Sequence, residues 1–199
     1  MRARQPENEP ERVEALRRYQ ILDTDYDEAF DTAARLAAHV CQTPTALITF
    51  VDSDRQWFKS HFGFAQRQTP RDVSFCAHAI LTEGPTVVRD ALDDERFRDN
   101  PLVTAAPYIR FYAGAPLVSA EGHRLGTLCV IDRVPRELRR DQIEALQMLS
   151  TVLMALLNTR RDLRYVAGSL EDKRQRIAHL EERLRQHESV QPHQTDPPN

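Results

Sequence analysis

The chain has three cysteines in 199 residues, Cys41, Cys76 and Cys129. None belongs to a CxxC pair, and the odd number leaves one over, so the thiols are read as reduced rather than as a disulfide framework. No apolar run approaches about 20 residues, the length a membrane-spanning helix needs. The N-terminus, MRARQPENEPER, is polar from its start, so no signal peptide is expected. A cytoplasmic protein with no membrane contact is expected. The formal net charge of -3 leaves no basic face for nucleic acid. Also missing are a GxxxxGK[ST] loop, GxSxG, HExxH and any kinase or cyclase signature. Catalysis is therefore not expected, and composition names no cofactor.

Against these absences stand two hairpin patterns. Thr45 to Asp52 (TALITFVD) and Arg55 to Phe62 (RQWFKSHF) are separated by Ser53-Asp54. Arg110 to Asp132 (RFYAGAPLVSAEGHRLGTLCVID) holds two apolar runs joined by a glycine-bearing polar turn. Pro116 belongs near a strand end or edge, because it cannot donate to a ladder, and Gly126 leaves room for something to pack closely. Trp57 and Phe58 are adjacent on a strand, so one is expected to face inward and the other outward.

Helical spacing marks Glu11 to Leu22, through Val13, Leu16 and Tyr19. It marks a second helix through Phe30, Ala33, Ala34, Ala37, Ala38 and Cys41, with Asp25 as N-cap candidate, Glu28 three residues on and Pro44 closing it. Ser74 to Leu81 reads as a short helix, Thr86 to Arg89 as a strand, and Asp93 to Val103 as irregular turns stopped by Pro101. This order implies an α/β (α+β) fold with one central antiparallel sheet. The terminal helices would pack on one face, and short helices and a pocket on the other.

The runs VDSDRQWFKS, RDVSFCAHAI, VVRDA, DERFRDNPLV, IRFYAGAPL and GTLCVID, in that order, resemble the GAF domain. In particular they resemble the subtype placed ahead of bacterial sensor histidine kinases and diguanylate cyclases. The likeness covers about residues 11 to 160 and implies the GAF/PAS-like sheet, a sensory or regulatory task in bacterial signal transduction, and a kinase or cyclase output domain or partner. No output domain follows residue 188 in this sequence. The output is then expected on a longer chain or on a separate protein.

Within that frame a small-molecule pocket is expected between the sheet and the segments holding Phe75, Cys76, His78, Asp90, Phe97 and Asn100. Strand alternation puts Arg110 and Tyr112 on one face and Ile109, Phe111 and Ala113 on the other. Arg110 would be costly inside unless paired, and Asp90, Asp93 and Asp99 lie on segments that could reach it. Two readings stay open. Arg110 with aromatic neighbours suits a carboxylate, phosphate or planar ring, or else it closes an internal ion pair over a ligand-free aromatic core, leaving a structural dimerisation module.

Cys76 and His78, two apart on a helix, point to different sides and make poor joint metal ligands, so no metal is expected. Ala77 between them departs from the Cys-His pair through which phytochrome-type relatives attach a bilin. The cysteine spacing of the methionine sulfoxide reductases of the family is not present either, which makes reductase chemistry a lesser reading.

The C-terminal third repeats Leu149, Leu156, Leu163, Leu170, Ile177 and Leu184 every seven residues. Val152, Thr159, Val166, Lys173 and Leu180 stand three further on. This a/d seam predicts a parallel homodimeric coiled coil over residues 149–188, overlapping the last helix of the 11–160 domain. A flexible segment is expected over residues 1–10, and a disordered tail over 189–199.

Overall fold

The computed structural model of the chain describes residues 2–190, with side chains through residue 186. Helix α1 spans Glu9–Arg18 and α2 Glu28–Cys41. The strands are β1 (Thr45–Val51), β2 (Arg55–Phe62), β3 (Gln68–Pro70), β4 (Thr86–Val88), β5 (Phe111–Val118) and β6 (Arg124–Asp132). Between them lie α3 (Phe75–Ala79) and α4 (Pro101–Thr104), and α5 runs from Arg140 to Val190. The strands form one sheet in the order β3-β2-β1-β6-β5-β4, and neighbours pair antiparallel throughout. Both expected hairpins are present.

Each face of the sheet buries its own core, which is why the central strands read as continuous apolar runs rather than a clean alternation. Ala46, Ile48, Phe50, Phe111, Ala113 and Ala115 face Leu16, Phe30, Ala34, Leu146 and Leu153 of the long helices. Leu47, Val51, Phe58, Tyr112, Cys129 and Ile131 face α3 and the 88–109 segment. The expectation that one of Trp57 and Phe58 faces outward is corrected: Trp57 joins the first cluster and Phe58 the second, so both are buried because each face of the sheet is covered.

Gly126 pairs with Phe50 of β1. A Cβ there would fall inside contact distance of the Thr49 carbonyl and the Phe50 Cα, so the close approach inferred for this glycine is made by backbone.

Several local expectations are corrected. Glu9 and Pro10 belong to α1 rather than to a flexible arm. Glu9 is buried, receiving Arg12 Nε at 2.8 Å and an ion pair from Arg71. Upstream of it, Arg2 meets Asp72 at 2.8 Å. The α2 N-cap is Asp27, whose carboxylate accepts from Ala29 N at 3.1 Å; Asp25 lies two residues too early. Pro101 opens α4 instead of stopping a turn, since a missing N–H costs nothing at a first helical position. The strand β3 carried too short a signal to be expected.

Strand alternation also does not extend back to Arg110. Extended structure begins at Phe111, after Tyr108 in the left-handed region at φ 61°. Ile109 therefore joins Tyr112 in the second core instead of facing away from it.

The chain divides into two compact units at Asn158 and Thr159. In the first, Leu146, Leu153, Met154 and Leu157 of α5 are buried, and Leu149 and Leu156 are partly buried against the same core. In the second, Leu163, Val166, Leu170, Ile177, Leu180 and Leu184 are all exposed. Helix α5 begins nine residues before the expected coiled coil and includes Ser189 and Val190, which had been assigned to the tail. The remainder of that expected tail lies outside the described residues.

Candidate functional site

The sequence-expected site centres on α3, a five-residue helix whose start is fixed by Ser74. The Ser74 hydroxyl accepts from Ala77 N at 2.9 Å and donates to Gln56 of β2, tying the helix to the sheet. From there Phe75 stacks on Phe97, with centroids 4.0 Å apart and planes 7° from parallel. Phe75 also tilts over Tyr112 at 5.3 Å, and His78 meets the Phe97 ring edge-on at 4.8 Å. The Arg96 guanidinium covers Phe97 at 5.0 Å. Phe75, Cys76, Phe97 and Tyr112 are thus buried together with His78 beside them, in a layer closed by its own aromatic rings.

Asn100 has a structural position. Its carboxamide caps α4 by accepting from Leu102 N at 2.9 Å and donates to Val73 O at 3.0 Å, binding two loops together. Arg110 pairs with Asp90 through two nitrogens, with Nε to Oδ1 at 2.7 Å. That hydrogen-bonded guanidinium holds the Asp90 carboxyl below its usual range. The pair is part-exposed, with side chains 32% and 15% accessible. An anionic ligand at Arg110 would have to compete with Asp90. The adjoining cleft, about 570 Å³, is lined by Asp90, Asp93, Asp94 and Glu137 together with Arg89, which pairs with Glu137.

Beneath the aromatics lies a polar cluster that periodicity did not bring together. Thr127 Oγ1 donates to Cys76 Sγ at 3.0 Å, Tyr112 OH donates at 3.4 Å, and Cys129 Sγ stands 3.8 Å away. Thr49 joins through Thr127, with the two hydroxyls 3.3 Å apart. Tyr112 reaches this point because its ring lies along β5 over Gly114, where any Cβ would collide with the phenol. Gly114 is in turn the cross-strand partner of Cys129.

Burial opposes a charged Cys76 thiol, but hydrogen bonds from Cys129, Thr127, Thr49 and Tyr112 outweigh it and lower the group to about 7. Burial, followed by the neighbouring Cys76, pushes Cys129 up, and burial with both thiols does the same to Tyr112. The sequence signals for this cluster were small: a glycine two residues after Tyr112, and Thr127 two before Cys129.

A second cleft, about 640 Å³, opens between α2, the 23–26 connection and β2, with Tyr26, Arg35, Trp57, Lys59, Phe62 and Arg67 on its walls. It was not anticipated, because its residues come from four separate segments. Among the described residues no group of three or more His, Cys, Asp or Glu side chains is arranged to hold a metal ion. No helix among them is long and apolar enough to cross a membrane.

The profile of the GAF domain family matches residues 25–157. The chain is 46% identical over 162 residues to a cyclic di-GMP phosphodiesterase of Pseudomonas aeruginosa, a match that takes in 81% of this chain and 28% of the relative. The expectation that the chain is not an enzyme is corrected by this finding, since the relative is named as one. Among solved structures, the blue-light absorbing form of the Thermosynechococcus elongatus PixJ GAF domain superposes with a TM-score of 0.59 at 16% identity. It covers 80% of this chain and 96% of that one. Free methionine-R-sulfoxide reductase of Neisseria meningitidis, in complex with its substrate, superposes with 0.57 at 17% identity, covering 77% and 88%. At these identities the two structures speak for the fold.

Proposed function

The chain belongs to the GAF domain family, and from that membership we propose that it is a regulatory sensor module of bacterial signal transduction, dimerising in parallel through α5 and governing an output that turns over cyclic di-GMP. The observation that carries this reading is the seam on α5. Leu163, Leu170, Ile177 and Leu184 recur at seven-residue spacing, with Val166 and Leu180 three residues after the first and third of them, and all six are exposed in the single chain. Apolar residues at that period on a helix with charged flanks are buried by a partner helix. Arg176 and Glu181 fall at g and the following e positions, where opposite charges meet between parallel chains. A second copy of the chain satisfies both features. The 46% identity to the phosphodiesterase supports the choice of output.

The input is a small molecule admitted at the layer of Phe75, His78, Phe97 and Tyr112, with Arg110, two residues before Tyr112, as its polar contact. A second reading, a ligand-free dimerisation module, is favoured by the direct Phe75–Phe97 stack and by the Asp90 carboxylate already on Arg110. Native mass spectrometry of the purified chain, followed by a thermal-shift screen of metabolites, separates the two. A retained or stabilising small molecule supports the sensor. A chain that is empty and indifferent to every compound supports the module. The dimer is tested in the full chain by Leu170→Glu with Ile177→Glu: light scattering should report a dimer for the parent and a monomer for the double variant. A dimer in both would remove α5 as the contact.

A further inference from the structure

We propose that Cys76 and Cys129 form an oxidisable pair, closing a disulfide between α3 and β6 at the expense of a hydroperoxide. The two sulfurs stand 3.8 Å apart on elements 53 positions apart in sequence. They lie within a buried pocket of hydroxyl donors rather than in the all-apolar surroundings usual for core cysteines. Cys129 is held in the middle of the sheet, with β1 on one side and β5 on the other. Cys76 rides on a five-residue helix. A disulfide needs about 2 Å between sulfurs, and the short helix can supply the remaining approach. Cys41, the third thiol, is buried in the opposite core cluster, where burial pushes it up to about 11, so it has neither the geometry nor the thiolate character to compete.

The chemistry balances with the two thiols and one hydroperoxide. The Cys76 thiolate attacks the peroxide, forming an S–O bond as the O–O bond breaks, and the alkoxide or hydroxide leaves as alcohol or water with the proton that Cys76 gave up on ionising. The resulting sulfenic acid is then attacked by the Cys129 sulfur. The S–S bond forms, the S–O bond breaks, and hydroxide departs with the Cys129 proton as water. Two thiols are oxidised and one peroxide is reduced. The Thr127 and Tyr112 donors favour the first step by stabilising the Cys76 thiolate when it forms. Both sulfurs are buried, so the oxidant enters when α3 lifts from the sheet, and the rate follows that opening. Once formed, the link pins α3, and with it Phe75 and His78, against β6. This inference is independent of whether a ligand binds.

The test uses the reduced, folded full chain treated with hydrogen peroxide, then denatured, alkylated and analysed by intact mass and tryptic mapping. Two of the three thiols should become protected, the mass of an unalkylated aliquot should fall by about 2 Da for two lost hydrogens, and one linked species should join peptides 72–89 and 125–133. Cys41→Ser should behave as the parent does. Cys129→Ser should stop at a sulfenic acid that dimedone traps at Cys76. The same treatment in urea should scramble the pairing, showing that the folded geometry selects it. Three alkylated thiols after folded-state treatment, sulfinic acid without a link, or a link through Cys41 would each overturn the proposal, and the parent measurement alone decides this if a variant does not fold.

Discussion

Phe75 lies flat on Phe97, 4.0 Å between centroids, and this contact closes α3 onto the 90–100 loop over the sheet. Stacking of two buried rings adds to the stabilisation from the area they remove from water. Any small molecule entering this layer must part them, so the site's stability and its capacity for a ligand are coupled through one aromatic pair.

Replacing Phe97 by Ala should destabilise the unliganded protein by about 3–5 kcal/mol, the cost of deleting a fully buried ring and leaving a cavity. Urea unfolding measures it. A loss below about 1 kcal/mol would mean that the layer collapses around the gap and is not closely packed there.

Arg110→Ala should scarcely alter the melting temperature, because its ion pair with Asp90 is part-exposed and water can replace either partner. Severe destabilisation in a thermal melt would show that Asp90 depends on Arg110 to stay in place. If a metabolite stabilises the parent, the same variant should lose that shift, which would place Arg110 at the ligand.

Glu9 makes a different case. Burial opposes its charge, but hydrogen bonds from Arg12 and Arg71 outweigh this and hold its carboxyl below the usual range. A group with a depressed folded-state pKa contributes stability that is complete above its unfolded value and is lost as pH falls through the folded value. Acid should therefore loosen α1 as Glu9 takes up a proton below about pH 4. Glu9→Ala should cost about 3–5 kcal/mol at neutral pH, leaving two buried guanidiniums uncompensated. Its acid limb should be shallower than the parent's in denaturation curves across pH.

The fold was legible because both hairpins are marked by short polar turns between apolar runs, and because α2 shows its buried face at helical spacing. Gly126 announced a close approach, though not that the neighbour would be the Thr49 carbonyl. The site was only partly legible. Phe75, Cys76 and His78 fall on the short helix that the sequence marked, since α3 is local, and Asp90, one of the acids named for Arg110, is its partner. The side of the sheet taken by Ile109 was not, since alternation presumes a strand that begins only at Phe111. The Cys76–Cys129–Thr127 cluster depends on strand register between β5 and β6 and on the seating of α3, neither of which leaves a periodic trace.

Gly126→Ala should destabilise by about 1–3 kcal/mol, since the added methyl meets strand backbone that cannot turn aside as a side chain would. Equilibrium unfolding checks this. An unchanged midpoint would mean that β1 and β6 separate locally at little cost.

Truncation after Asn158 gives the sharpest test of assembly. It removes four of the six seam residues at seven-residue spacing, Leu163, Leu170, Ile177 and Leu184, while keeping Leu146, Leu153, Met154 and Leu157, which complete the core of the first unit. The shortened chain should therefore stay folded and become monomeric at concentrations where the full chain is dimeric, as seen by light scattering across a dilution series. Retained folding is checked by circular dichroism, which separates loss of the seam from loss of the domain. A truncated dimer of undiminished affinity would move the contact onto the first unit, where Met148 and Val152 of α5 are large exposed hydrophobics close to the cut.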